Sequence, residues 1–100
     1  MHPDAPDLTD AARWVDALRV AYTRSLAEGA AYWARAEAAV AAGAASATAV
    51  AQAALLALET MGSADSISLG MSACEALRLH GGASEQARLR RLFETLERAA

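Results

Sequence analysis

Residues Ala38 to Leu58 read AAVAAGAASATAVAQAALLAL, 21 positions without a charge. A helix this apolar on every side does not stand alone in water, so other helices must cover it. The length matches the ~20 residues a membrane span needs. Alanine, however, is close to neutral for insertion, and only Val40, Val50, Leu55, Leu56 and Leu58 favour the bilayer, by about 0.3–0.6 kcal/mol each. Gly43, Ser46, Thr48 and Gln52 oppose it, and neither an arginine cluster nor an aromatic belt brackets the stretch. The expectation is a buried helix with no transmembrane span.

Working outward, Tyr32, Trp33, Ala36, Val40, Gly43, Ala47, Val50, Ala51, Ala54, Leu55, Leu58 and Met61 fall in one phase at 100° per residue. A continuous helix over 30–61 would be roughly 48 Å long at 1.5 Å per residue. A 100-residue domain has a radius of gyration near ~13 Å, so such a helix would overhang it. The fold is either an elongated hairpin or broken near Gly43–Ser46, where Ser46 caps a restart, and the break is the reading adopted. Leu56 points away from the main stripe. The steps Ala39, Gly43, Ala47 and Ala51 let another backbone approach closely.

Upstream, MHPDAP holds both prolines and reads as a lead-in over 1–6, ahead of a single domain over 7–100. Asp7 is the expected N-cap, with Asp10 three residues on. Leu8, Ala11, Ala12, Val15, Leu18, Tyr22 and Leu26 then form an amphipathic stripe with Trp14 on its flank, ended at Gly29. Downstream, Gly62 suits a C′ position and Ser63 an N-cap. Ser66 to Ser72 alternates like a strand, but a lone strand finds no mate in the chain. As a helix it places Ile67, Gly70, Met71, Cys74 and Leu77 on one face. Gly81-Gly82 is a break, after which Ser84 caps a last helix with the stripe Leu89, Leu92, Phe93 and Leu96. The predicted fold is an all-α bundle of four helices, or five if the long region breaks.

Twenty-nine of the 100 residues are alanine, and only Trp14, Tyr22, Tyr32, Trp33 and Phe93 supply aromatic bulk. At ~25 cal/mol per Å² such thin side chains make a weak core, which favours a second subunit. All nine cations are arginine and the net charge is −3. That excludes a general nucleic-acid binder, which needs clustered cations against phosphate. Cys74 is the single cysteine, so no internal disulfide forms, and a cytoplasmic location fits.

No catalytic, cofactor or metal constellation emerges. Cys74 and His80 lie six apart, about 240° around a helix, too far round to share a face. His2 lies in the lead-in, and no Glu-x-x-His pair supports a di-iron bundle. Gly-Gly-Ala-Ser before the last helix offers backbone N–H groups to an anion, with Arg88 one turn in, but helix starts of this kind are common. Trp14, Tyr22, Tyr32 and Trp33 meet if the first two helices form a hairpin, as core or as the lining of a small-molecule pocket.

The segment from Ser66 to Ala99, two short helices around Gly81-Gly82 ending in ARLRRLFETLERA, resembles one tetratricopeptide-type hairpin. It lacks that pattern's Trp and Tyr in the first helix and has no second 34-residue copy. The alanine-rich amphipathic character is similar to that of phasins, which coat storage granules. Neither resemblance carries a residue role. The expected function is a non-enzymatic interaction or assembly module, a homo-oligomer or the receiver of a partner helix. Its expected docking face is Gly43, Ala47, Val50, Ala51, Leu55, Leu56 and Leu58. The alternatives are a ligand-binding or enzymatic bundle using the aromatic cluster, and a protein of lipid or granule surfaces.

Overall fold

A computed structural model describes residues 8–99. They form five helices and, among the described residues, no strand: α1 Ala11–Arg24, α2 Leu26–Ala41, α3 Ala47–Glu59, α4 Ile67–His80 and α5 Ala83–Ala99. The expected lead-in over 1–6 and the Asp7 cap lie outside the described residues. Asp10 caps α1, its carboxylate accepting from the Arg13 N–H at 3.2 Å.

α1 ends at Ser25, four residues before the expected stop at Gly29. Ser25 is extended (φ −169°, ψ 159°). Its N–H closes α1 on the Ala21 carbonyl at 3.1 Å, and its hydroxyl accepts from the Glu28 N–H at 3.0 Å to open α2. One residue thus caps two helices. Leu26, expected in the α1 stripe, is exposed, whereas Trp14, expected on the flank, is buried. Gly29 sits inside α2, where a Cβ would lie 2.4 Å from the Tyr22 ring. The glycine lets a ring approach; it does not stop a helix.

The long helical region is broken. Gly43 takes φ +76°, a left-handed conformation that costs a residue with a Cβ about 1–2 kcal/mol. The Ala44 and Ala45 N–H groups turn back onto the Ala39 carbonyl at 2.8 and 3.2 Å. Ser46 then caps α3 by accepting from the Ala49 N–H at 3.0 Å. With the break, the radius of gyration is 13.2 Å, and the elongated hairpin is ruled out.

α3 is the central helix, touching α1, α2, α4 and α5. Its Val50, Ala51, Ala53, Ala54 and Ala57 are fully buried and Leu55 nearly so. Alanine on opposite sides of one helix is what allows neighbours on several sides. α3 ends at Thr60, and neither expectation for the following turn holds. Gly62 has no positive φ, and Ser66, not Ser63, caps α4 by accepting from the Ser68 N–H. Asp65 decides this. Its Oδ2 accepts from the Gly62 N–H at 2.9 Å and from Arg19 Nε at 3.2 Å, while Arg19 also donates to Thr60 Oγ1 and the Ala57 carbonyl. The turn is tied across to α1, and the chain re-enters a helix only after it.

Residues 67–72 are helical, with Ser66 as their cap, and the buried face of α4 keeps Gly70 and Leu77 of the expected one but not Ile67, Met71 and Cys74. Leu69, Gly70, Ala73, Ala76 and Leu77 face the core, leaving Ile67 and Met71 exposed and Cys74 half-buried. Leu69 with small Gly70, Ala73 and Ala76 brings α4 close to α3; Ile67 and Met71 there would hold the helices apart. α5 starts one residue before the expected Ser84 cap. The Gly82 carbonyl accepts from the Gln86 N–H at 3.0 Å, and the Glu85 carboxylate reaches back to the Gly82 N–H at 2.8 Å. No residue of α5 whose side chain is described is fully buried.

Candidate functional site

The expected docking face is divided by the fold. Val50, Ala51 and Leu55 are covered by helices of the same chain, Ala47, Leu56 and Leu58 are half-buried, and Gly43 is exposed. Of these, Leu58 borders an apolar surface that α4 builds.

One stripe of α4 serves the core; on its outer side Ile67, Met71 and Leu79 stand 78%, 69% and 54% exposed, interleaved with Ser68, Ser72, Glu75 and Arg78. Two hollows flank the helix. The first, about 520 Å³, lies between the end of α3 and α4; Leu58, Met61, Ile67, Gly70, Met71 and Cys74 line it with Glu75 and Arg78. Its floor is close-fitted, since a Cβ on Gly70 would meet the Met61 sulfur at 3.0 Å. The second, about 380 Å³, lies between α2 and α4, lined by Trp33 and Glu37 with Met71, Ser72, Glu75, Ala76 and Leu79. Met71 and Glu75 belong to both, so they form the ridge between two hollows of one surface.

Charge is placed at the borders. Arg78 Nε donates to Glu75 Oε2 at 3.0 Å, with a second bond from Nη2 to Oε1. This fork holds the Glu75 carboxyl below its ordinary range and raises Arg78. His80 Nε2 meets both oxygens of Glu37 and fastens the end of α4 to α2. Burial pushes the Cys74 thiol up, which suppresses its thiolate.

Three of the four expected aromatics come together. The Trp14 ring stands edge-on to Trp33 (5.1 Å, 68°) and to Tyr32 (6.2 Å, 67°), and Arg35 lies 5.2 Å from the Tyr32 centroid. Tyr22 is elsewhere, packed on Gly29 with its hydroxyl donating to Ser72 Oγ at 2.9 Å. Trp14, Tyr22 and Trp33 are core residues; Trp33 also lines the second hollow, and its buried Nε1 finds no acceptor among the described residues.

Among the described residues, no three His, Cys, Asp or Glu side chains are grouped to hold a metal ion, and no helix is long and apolar enough to cross a membrane. The anion-binding reading of Gly81-Gly82 meets a carboxylate: Glu85 occupies the Gly82 N–H. The surface residues missed by sequence reasoning are Ile67, Met71 and Leu79. The available signal was that α4 carries more large apolar side chains than its one core-facing stripe can hold. No family model, curated protein or solved structure matches the chain.

Proposed function

We propose that this protein is a non-enzymatic helical interaction module that self-associates through the outer face of α4 and the hollow beside Leu58. The observation that carries the reading is the run of exposed Ile67 and Met71 over an apolar hollow of about 520 Å³. Contiguous exposed apolar surface on a small domain marks a binding surface, and grooves between helices commonly receive amphipathic helices. Of the uncharged stretch, Leu58 contributes directly, while α3 supplies the rigid wall. Cys74, with no cysteine partner in the chain, is compatible with a cytoplasmic setting.

The test is mass by light scattering across a wide concentration range, for the parent and for Ile67→Glu with Met71→Glu. Both positions are exposed, so the variant keeps its helicity. The parent is expected above the 10.4 kDa of one chain and the variant at it. A parent that stays monomeric at all concentrations, or a variant with the parent's mass, refutes the reading.

A second reading rests on the second hollow, whose about 380 Å³ is within the range of ligand pockets. Trp33, whose buried Nε1 finds no acceptor among the described residues, is part of its lining. Saturable quenching of tryptophan fluorescence by a metabolite, lost in Trp33→Phe, is its expected signature.

A further inference from the structure

We propose that the α3–α4 hollow binds one soft monovalent cation, Cu(I), through the Cys74 thiolate and the thioethers of Met61 and Met71. Residues 8–99 contain three sulfur atoms, and all three belong to residues that line this hollow. None belongs to the buried core, which is built from leucine, valine, alanine and aromatic rings. Sulfur is therefore not the general gap-filler of this protein, as methionine is in many others. Thiolate and thioether together are a donor set that selects Cu(I).

The backbone brings the three sulfurs within reach of one another. Cys74 stands one turn of α4 beyond Gly70 and Met71. Side chains at those spacings are neighbours, with Cβ atoms about 5–6 Å apart. A helical side chain also leans toward the preceding turn, which carries the Cys74 thiol toward Gly70 and Met71. Met61 arrives from the turn after α3, its Sδ 3.0 Å from the point a Gly70 Cβ would occupy. A side chain at position 70 would crowd that sulfur, and glycine admits it one helical turn from Cys74. Met71, 69% exposed, is not locked by packing and supplies the third donor.

Charge balance favours a monovalent ion. Glu75 and Arg78, the charged residues of the lining, are bonded to each other and cancel. Burial pushes the Cys74 thiol up and so keeps its proton in place. Cu(I) displaces that proton to solvent and forms a copper–sulfur bond, leaving a pair with no net charge. Zn(II) on the same donors would leave a positive charge in an apolar hollow, which is costly. Its usual four-coordinate shell would also need a ligand beyond these three. Hard cations such as Mg(II) and Ca(II) require oxygen.

Anaerobic competition with the chromophoric chelator bicinchoninate, loaded with Cu(I) and kept reduced by ascorbate, tests this. Copper is expected to pass to the protein at one ion per chain, with a sulfur shell in copper X-ray absorption. Cys74→Ser should abolish the transfer. Met61→Leu and Met71→Leu keep the lining apolar, and unchanged circular dichroism establishes that they fold. Each should weaken the affinity by more than the about tenfold that loss of an outer-shell contact costs. A parent that takes no copper overturns the proposal, as does Cys74→Ser that takes it like the parent. Leucine variants that both bind like the parent overturn it too, since a lone thiolate would then account for the binding. None of these readings depends on the mass in light scattering, so the metal site and self-association stand or fall separately.

Discussion

Gly29→Ala is expected to destabilise the protein although Gly29 lies inside a helix. In a helix interior, alanine is worth about 1 kcal/mol over glycine, so an unobstructed site would gain that much. Here the new Cβ would stand 2.4, 2.4 and 2.5 Å from Cδ1, Cε1 and Cγ of Tyr22. Carbon atoms prefer ~3.5–4.0 Å, so the ring must retreat by about 1 Å. It is poorly placed to do so, being buried and held by its hydroxyl on Ser72. Overpacking of this kind costs ~1–3 kcal/mol. Set against the propensity gain, the net loss is about 1 kcal/mol, or ~4–8 °C in Tm for a domain of this size. Two other glycines calibrate the result. Gly43→Ala meets no atom within 4 Å but inherits φ +76°, and should lose ~1–2 kcal/mol to backbone strain. Gly62→Ala has open space and an ordinary φ, and should be neutral or gain ~0.4–1 kcal/mol from a stiffer unfolded chain. Urea unfolding followed by circular dichroism reads all three. If Gly29→Ala moves the midpoint upward with Gly62→Ala, the contact with Tyr22 does not constrain the α1–α2 joint and the argument fails.

Further outcomes follow from the core and from the hollow. Leu55→Ala, at a site 1% exposed in the central helix, should cost ~2–5 kcal/mol by loss of transfer energy and an unfilled cavity, measured by the same unfolding curves. The Cys74 thiol, raised by burial, holds less thiolate at a given pH than a free thiol. Its alkylation by iodoacetamide at pH 8 should therefore be slower than that of glutathione, the rate should rise at higher pH, and urea should accelerate it. A Cys74 rate equal to that of glutathione in the folded protein would remove burial as its controlling feature.

The parts of the fold legible in the sequence are those where local chemistry and tertiary packing agree. Gly43 with Ser46 is such a place: a left-handed residue and a capping hydroxyl three positions apart open a helical phase that otherwise runs through. Ser25 is the contrary case. The apolar period continues past it to Leu26, and the packing of Trp33 on Trp14 and of Tyr22 on Gly29 favours a turn at a serine that could equally lie on a solvated helix face. The α4 surface was hidden for a related reason. Periodicity identifies which residues share a face, and α4 has two eligible faces. The choice went to Leu69, Gly70, Ala73 and Ala76 because small side chains let α4 lie close to α3, a preference visible only when the partner helix is known. The same blindness affected the uncharged stretch. Its composition demands cover, but composition does not say whether that cover comes from this chain or another, and α1, α2, α4 and α5 together supply much of it.

The joint at Ser25 makes chain length itself carry information. It is a single extended residue between two helices, with no slack on either side. One residue added to α1 ahead of it would carry the exit point 100° around the helix and 1.5 Å along it. Trp33 would then leave the edge of Trp14, and Gly29 would no longer lie under Tyr22. Many side chains along this hairpin can change without moving its neighbours, whereas a one-codon insertion displaces all of α2. Homologues sharing this joint are therefore expected to vary at the exposed positions between Trp14 and Trp33 and to keep the number of residues there.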